Sequence, residues 1–137
     1  MVKEKTKRQY IDVNVPRDWG KYLEEALENP EIRIRLEGEG FRLKPSSLGV
    51  WIIKQWLIDN TDYRFQYINA SGKSTIIYDR KLRRKAEIFL REKEKDMWCD
   101  LCESNDCVHI RFVLRKVNDV RRVAEKLASE GWNIPEV

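Results

Sequence analysis

The sequence predicts an α+β fold in two parts. The N-terminal half reads as a strand followed by two helices, and the C-terminal half as short strands, a cysteine-rich turn and two helices. Apolar residues alternate near the N-terminus and again between 65 and 91, which is the period of a β-strand. In longer segments they recur every three or four residues, which is the period of an α-helix. All three cysteines and the only histidine lie between positions 99 and 109.

The N-terminal half begins with a predicted strand. Residues 9–15 alternate between apolar and polar side chains, and Pro16 ends the strand. Helical spacing then predicts a helix over 17–28 and a second helix over 46–60. The segment at 31–36 is either a strand or a further helical turn, and the helical turn is favoured. The 46–60 helix is apolar around nearly its whole circumference, so it needs a covering surface that a unit of this size lacks. That surface is either the C-terminal half or a second copy of the N-terminal half.

A polar segment at 59–62 is the predicted boundary between a domain of residues 1–60 and a domain of residues 61–137. The C-terminal domain is predicted to be small, with a β-hairpin, a knuckle and two helices. Its strands are expected at 65–69, 74–78, 86–91 and 97–99, and its helices at 107–116 and 117–130. Gly72 is expected at the tip of the first hairpin, and Gly131 at the end of the last helix.

The cysteines and the histidine form one short stretch, which reads Cys99-Asp-Leu-Cys102-Glu-Ser-Asn-Asp-Cys107-Val-His109. Thiolate and imidazole are the ligands that Zn²⁺ prefers, and four of them close a tetrahedral structural site. The spacing of Cys99 and Cys102 lets both sulfurs face one ion, and a polar loop then brings back Cys107 and His109. The stretch therefore predicts a zinc knuckle whose role is structural, because four protein ligands leave no open coordination position.

Other readings of this stretch are a group of free thiols, a disulfide and a catalytic cysteine. A disulfide would leave one of the three cysteines unpaired, and the N-terminus lacks the hydrophobic segment of a secretory signal. A catalytic cysteine would need a histidine as its base, and the only histidine is expected to bind metal. Paired carboxylates and a phosphate-binding glycine loop do not stand out either, so we expect a protein that is not an enzyme.

The charge of the chain permits nucleic-acid binding. Lys and Arg total 27 against 23 Asp and Glu, which gives a net charge of +4. Basic residues are concentrated in the N-terminal arm and at 80–85, where they would either contact phosphates or form a solvated loop. No apolar run is long enough to cross a membrane, so the expected location is the cytoplasm.

The order of elements in the N-terminal half carries a family resemblance. It combines the strand Tyr10-Ile-Asp-Val-Asn-Val15, the following Pro16, an amphipathic helix, and Gly40-Phe41 ahead of the apolar helix. In these features it resembles the ribbon-helix-helix family of DNA-binding proteins. In that family two chains pair their strands into a ribbon that enters the major groove, and their second helices cross in a shared core. The resemblance implies a homodimer in which Tyr10, Asp12 and Asn14 face the groove with Arg8 just outside it, while Ser46 and Ser47 contact a phosphate.

The C-terminal half carries a second resemblance. Two short strands, a cysteine pair and a Cys-x-His that opens a helix, Cys107-Val-His109, are similar to a SWIM-type zinc finger. Such fingers are associated with DNA binding and with protein interaction. The two-part layout also looks like that of archaeal proteins of unassigned activity that join such an N-terminal half to a Cys/His knuckle.

Together these features predict a dimeric, sequence-specific double-stranded DNA-binding protein, a transcriptional regulator associated with the nucleoid. The ribbon would read bases while basic side chains fix its position on phosphates. The phosphate-contacting candidates in the C-terminal half are Arg80, Lys81, Arg83 and Arg84. One alternative is an interaction module of antitoxin or adaptor type, in which the ribbon only dimerises and the zinc half recruits a protein. Another is a single-stranded nucleic-acid binder that would use Tyr63, Phe65, Tyr67 and Trp98.

Overall fold

The structure is a computed structural model that describes residues 10–11, 13–72 and 74–137. Over these residues it contains α-helices and one four-stranded antiparallel sheet, so the predicted α+β class is confirmed. The chain divides into two compact units, residues 1–53 and 54–137. No helix within the described ranges combines the length and the apolar character that a membrane span requires.

The N-terminal unit is helical. A 3₁₀ turn at Arg17–Trp19 leads into α1 at Gly20–Ala26, followed by α2 at Pro30–Gly38 and α3 at Pro45–Asn60, which continues past the division between the units. The predicted helices are confirmed, and the turn expected at 31–36 is a full helix. The side chain of Asn29 accepts a hydrogen bond from the N–H of Glu31 at 2.9 Å, and Pro30 occupies the first helical position. Both residues are typical of a helix start, which explains why α2 begins there.

The core of the N-terminal unit is small. Leu36, Leu48 and Trp51 are buried, and they pack with partly buried residues from all three helices and the loop before α3. The other side of α3 remains open, since Val50 and Ile53 are exposed. The sequence predicted that this helix would be covered on every side, and this single chain does not cover it.

The described residues of the predicted strand over 9–15 do not form a strand. Residues 10, 11 and 13–15 lie outside any helix or strand, and residues 9 and 12 lie outside the described residues. The apolar side of the segment is exposed, and Ile11 keeps 90% of its surface accessible. A strand needs a neighbour to satisfy its backbone groups, and the predicted neighbour is the same segment of a second copy.

The C-terminal unit is a meander sheet packed against two helices. Its elements are β1 at Phe65–Ser71, β2 at Ser74–Asp79, β3 at Arg84–Arg91, β4 at Asp96–Cys99, α4 at Val108–Lys116 and α5 at Asn118–Ser129. The strands are antiparallel and lie in sequence order. Gly72 has a φ of 57° at the tip of the β1–β2 hairpin, a conformation that glycine adopts without a steric penalty. The predicted strands, hairpin and helices of this half are confirmed.

One face of this sheet and the helices α4 and α5 share the main core. Alternate residues of the strands point inwards, and they pack on a helical face that contains Ile110, Val113 and Ala124. Phe65 belongs to this core, where its ring lies edge-on to the ring of His109 with centroids 5.4 Å apart. The suggestion that Phe65 stacks on single-stranded bases is therefore wrong, because its ring is buried.

The end of α5 follows the predicted pattern. Gly131 has a φ of 95°, its N–H donates to the carbonyl of Ala128 at 3.1 Å, and the N–H of Trp132 donates to the carbonyl of Leu127 at 3.0 Å. These two bonds form a Schellman motif, which satisfies carbonyl groups that the helix leaves without partners.

Candidate metal centre

Two elements of the C-terminal unit bring the cysteines and the histidine together. Cys99 is the last residue of β4, and the loop after it closes when the N–H of Cys99 donates to the carbonyl of Ser104 at 2.9 Å. Cys102 lies on this loop. Cys107 then caps the start of α4, and His109 lies in the first turn of that helix, as predicted.

The four side chains form one cluster. The Sγ atoms of Cys99, Cys102 and Cys107 lie 3.8, 3.1 and 3.7 Å from Nδ1 of His109, and the four potential ligand atoms are all within 4.8 Å of one another. Cys99 and His109 are fully buried, whereas Cys102 is exposed. The cluster could hold a metal ion.

A carboxylate orients the histidine from the side of its ring that faces away from the three cysteines. Oδ2 of Asp79, the last residue of β2, lies 2.7 Å from Nε2 of His109. An ionised carboxylate can only accept, so Nε2 carries the proton and donates. Nδ1, which faces the three sulfurs, is then the ring nitrogen available to a metal. A carboxylate on the second nitrogen is the usual partner of a metal-binding histidine.

Asp79 is itself held by further donors. Its side chain is completely buried, and the guanidinium of Arg64 donates to both of its oxygens at 2.9–3.3 Å. Burial would raise the pKa of this carboxyl, but hydrogen bonds from Arg64, His109 and the N–H of Leu82 lower the pKa to about 2. Asp79 is therefore ionised across the physiological pH range.

Without a metal, the three thiols have very different pKa values. A hydrogen bond from Cys99, together with others from His109 and the N–H of Ile110, lowers the pKa of Cys107 to about 4. The pKa of Cys99 is raised, first by its hydrogen bond to Cys107 and then by burial. The pKa of Cys102 is also raised, because its sulfur is partly desolvated within the cluster although the residue as a whole is exposed. The site is thus arranged around one thiolate, and a cation would favour ionisation of the other two.

Sequence reasoning found the four clustered residues and missed Asp79 and Arg64. A signal for Asp79 was present, because it continues the alternation of Thr75 and Ile77 and so faces the core. A buried carboxylate needs donors, which makes it a candidate partner for a buried histidine. Arg64 ends a 3₁₀ turn at Asp62–Arg64 before β1, and this turn is too short for a periodicity to indicate the direction of the side chain.

The residues proposed to contact DNA have different surroundings. Ser46 and Ser47 lie in the first turn of α3, where backbone N–H groups have no intrahelical acceptor. Tyr10 and Asn14 are exposed, whereas Arg8 and Asp12 lie outside the described residues.

The basic residues of the β2–β3 turn also differ from one another. Arg80 is held by the protein, since its Nη1 donates to the carbonyl of Tyr63 at 2.6 Å and its guanidinium stacks on the Tyr63 ring. Lys81 pairs with Asp59 at 3.3 Å on the surface. Arg83 and Arg84 are exposed, so their side chains are accessible to a phosphate.

The fold and the cluster define an α+β protein with a Cys₃His group that could hold a metal ion. In comparisons with known proteins, no family model, no curated protein and no solved structure matches the chain. The proposals below therefore rest on the geometry of its own residues.

Replacing Asp79 by asparagine (Asp79→Asn) should lower the metal affinity of the cluster by about 10- to 100-fold. The asparagine side chain has a single acceptor oxygen, and the N–H groups of Lys81 and Leu82 require it at the Oδ1 position. The amide nitrogen then faces Nε2 of His109 and cannot accept from it, so the ring loses the partner that fixes its tautomer and orientation. The measurement is a competition titration of the metal against a chromophoric chelator.

The control for this prediction is Asp96→Asn. Asp96 is also a buried carboxylate, and Arg91 donates to it at 2.8 and 2.6 Å, but its carboxylate makes no hydrogen bond with His109 in the structure. Asp96→Asn should reduce stability while metal affinity stays close to that of the unmodified protein. Equal losses of metal affinity in the two variants would show that Asp79 acts only through general stability.

Proposed function

We propose that the protein is a homodimeric, sequence-specific double-stranded DNA-binding protein of the ribbon-helix-helix type, a transcriptional regulator whose C-terminal unit is stabilised by zinc. The observation that carries the proposal is the uncovered apolar surface of the N-terminal unit. That surface joins the alternating segment at 11–15 to the open side of α3.

The apolar surface surrounds a groove. A cavity of about 390 Å³ is lined by Ile11, Val13 and Val15 on one side and by Val50 and Ile53 on the other. All five side chains remain exposed in the single chain. Contiguous apolar surface of this kind is typical of an interface. In a two-fold dimer the same surface of each copy covers the other, so a paired ribbon would satisfy both the strand backbone and the apolar side chains.

The donor set favours zinc as the metal. With Zn–S of about 2.3 Å and Zn–N of about 2.0 Å, tetrahedral coordination places sulfur and nitrogen about 3.5 Å apart. The observed separations of 3.1, 3.7 and 3.8 Å lie around this value. Three thiolates and one imidazole complete the coordination sphere, so the zinc would stabilise the fold of the C-terminal unit.

Fluorescence anisotropy of the zinc-loaded protein with duplex DNA tests the proposal. Sites selected from random sequence should bind tightly, and random duplexes weakly. Affinity should fall by about one log unit per log unit of salt for each phosphate contact. The proposal is wrong if no duplex binds at low salt.

Two variants should separate base reading from phosphate contact. Asn14→Ala should cost about 1–3 kcal/mol on the selected site and little on random DNA, because an exposed asparagine on the ribbon can pair with adenine. Arg83→Ala should weaken binding to both DNAs about equally and lower the salt slope by about one. If the two variants behave identically on both DNAs, this division of roles is incorrect.

A protein-interaction module is the second candidate, and the contacts of the basic turn favour it. Arg80 and Lys81 are both engaged with the protein itself, which leaves fewer basic groups for phosphates. Binding of a protein partner by a chain with no duplex affinity would select this alternative.

A further inference from the structure

The turn between β2 and β3 and the metal cluster share one buried side chain. Oδ1 of Asp79 accepts from the backbone N–H groups of Lys81 and Leu82 at 2.9 and 3.1 Å. This arrangement is a side-chain cap on the turn. Oδ2 of the same carboxylate lies 2.7 Å from Nε2 of His109. One carboxylate therefore contacts both a turn that carries basic residues and a candidate metal ligand.

The shape of this turn depends on its surroundings. Arg83 has a φ of 56°, a left-handed conformation that residues with a Cβ rarely adopt unless neighbouring contacts hold them there. The cap from Asp79 supplies such contacts one and two residues before Arg83, at Leu82 and Lys81. The directions of Arg83 and Arg84, which are exposed, follow from the backbone of the turn.

His109 contacts the second oxygen of the Asp79 carboxylate, so the orientation of the His109 ring affects the position of that carboxylate. A ring that coordinates a metal through Nδ1 is fixed in rotation and in tautomer, so its Nε2–H stays directed at Oδ2 of Asp79. Asp79 is fixed in turn, because His109 donates to Oδ2 and Arg64 donates to both oxygens. A constraint at the cluster thus reaches the N–H groups of Lys81 and Leu82 through one side chain.

We propose that the metal cluster, acting through His109 and Asp79, holds the β2–β3 turn in the shape that binds the phosphate backbone of duplex DNA. Asp79 is the positioning residue of this turn. The inference rests on the proposed function, since it assumes that Arg83 and Arg84 contact phosphates. By linkage, duplex DNA should raise the affinity of the cluster for its metal by the factor by which the metal raises the affinity of the protein for duplex DNA.

The variant His109→Cys separates the metal from the relay. Nδ1 of histidine and Sγ of cysteine are at similar distances from the backbone, and four cysteines are a common zinc donor set. This variant should therefore keep zinc but lose the Nε2–H that contacts Asp79. Phe65→Leu is the matched control, because it reduces the packing against the His109 ring and leaves the bond to Asp79 in place.

Amide hydrogen exchange, measured by NMR on zinc-loaded proteins, reports on the turn directly. In His109→Cys the amides of Lys81 and Leu82 should exchange about tenfold faster than in the unmodified protein, while amides of α5 change little. Its affinity for random duplex DNA should fall about threefold or more. Phe65→Leu should not speed the exchange of the Lys81 and Leu82 amides more than that of other amides. It should not selectively lower the affinity for random duplex DNA.

For a second variant, the inference predicts a change in DNA affinity that is opposite in direction to the change expected from charge alone. Asp79→Ala, examined at saturating zinc, removes a negative charge beside a basic turn, and this alone would strengthen the binding of DNA. If Asp79 positions the turn, the affinity for random duplex DNA falls instead, and the amides of Lys81 and Leu82 exchange faster. A gain or no change in affinity would overturn the inference even if His109→Cys failed to hold zinc.

The outcomes separate the inference from the proposed function. If the unmodified protein binds no duplex, the proposed function fails, and the inference fails with it. If the unmodified protein binds duplex DNA and zinc-loaded His109→Cys matches it in affinity and in both exchange rates, only the inference is wrong.

Discussion

Cys102→Ser should leave the C-terminal unit without a cooperative folded state at room temperature. The substitution exchanges one exposed sulfur for an oxygen of similar size, so it removes a ligand without disturbing the core. A structural zinc site contributes about 10–16 kcal/mol of binding free energy. That is comparable with the whole stability of an ordinary domain, about 5–15 kcal/mol.

The structure indicates why the loss of folded structure in Cys102→Ser should extend beyond the loop that contains Cys102. Cys99 is part of the main core and His109 is completely buried. A cluster without its metal places a thiolate and a hydrogen-bonded imidazole in the interior, where uncompensated charge is unfavourable. The fold of the sheet and α4 therefore depends on the same residues that could hold the metal.

Circular dichroism and a zinc assay on purified protein test this prediction. Glu103→Gln is the control, because it changes an exposed residue of the same loop and no ligand. It should keep its zinc and its melting curve. Full zinc content and an unchanged transition in Cys102→Ser would show that Cys102 is not a ligand.

The metal cluster could be predicted from the sequence because it is local. All four of its residues fall within one loop and the first turn of a helix, so their spacing alone limits how far apart they can be. The helices and the C-terminal strands were also predictable, since their apolar periodicity matches the faces that are buried.

Asp79 could not be placed beside His109 in the same way. Thirty residues separate the two, and they meet only because β2 and α4 pack on opposite sides of the same core. Alternation along β2 shows that Asp79 points inwards, but it does not show which residue it meets. Contacts of this kind depend on tertiary packing, for which a single sequence carries no periodic signal.

The segment at 9–15 shows a different limit. Its alternation is that of a strand, yet the single chain leaves it unpaired, because the hydrogen-bonding groups of a strand need a neighbour. The pattern therefore describes an interaction that one chain cannot make by itself. The same holds for the apolar residues on the open side of α3.

Ile53→Glu should convert the protein from a dimer to a monomer and abolish binding to its selected DNA site. Burying an isoleucine contributes about 1.5–3 kcal/mol, and a two-fold interface contains the residue twice. The loss of about 3–6 kcal/mol corresponds to a dimer weaker by roughly two to four factors of ten. Analytical ultracentrifugation measures the dimer, and anisotropy measures the binding of DNA.

Ile34→Glu is the matched control. Ile34 is an isoleucine on α2 of the same unit, it is 69% exposed, and it does not line the groove formed by residues 11–15 and α3. If the effect of a substitution by glutamate depended only on how exposed the isoleucine is, Ile34→Glu would weaken the dimer more than Ile53→Glu, because Ile53 is only 39% exposed. If the groove is the dimer interface, the order reverses, and Ile34→Glu keeps both the dimer and the DNA affinity. A monomeric unmodified protein, or a dimer that tolerates Ile53→Glu, would rule out this groove as the interface and favour another partner for it.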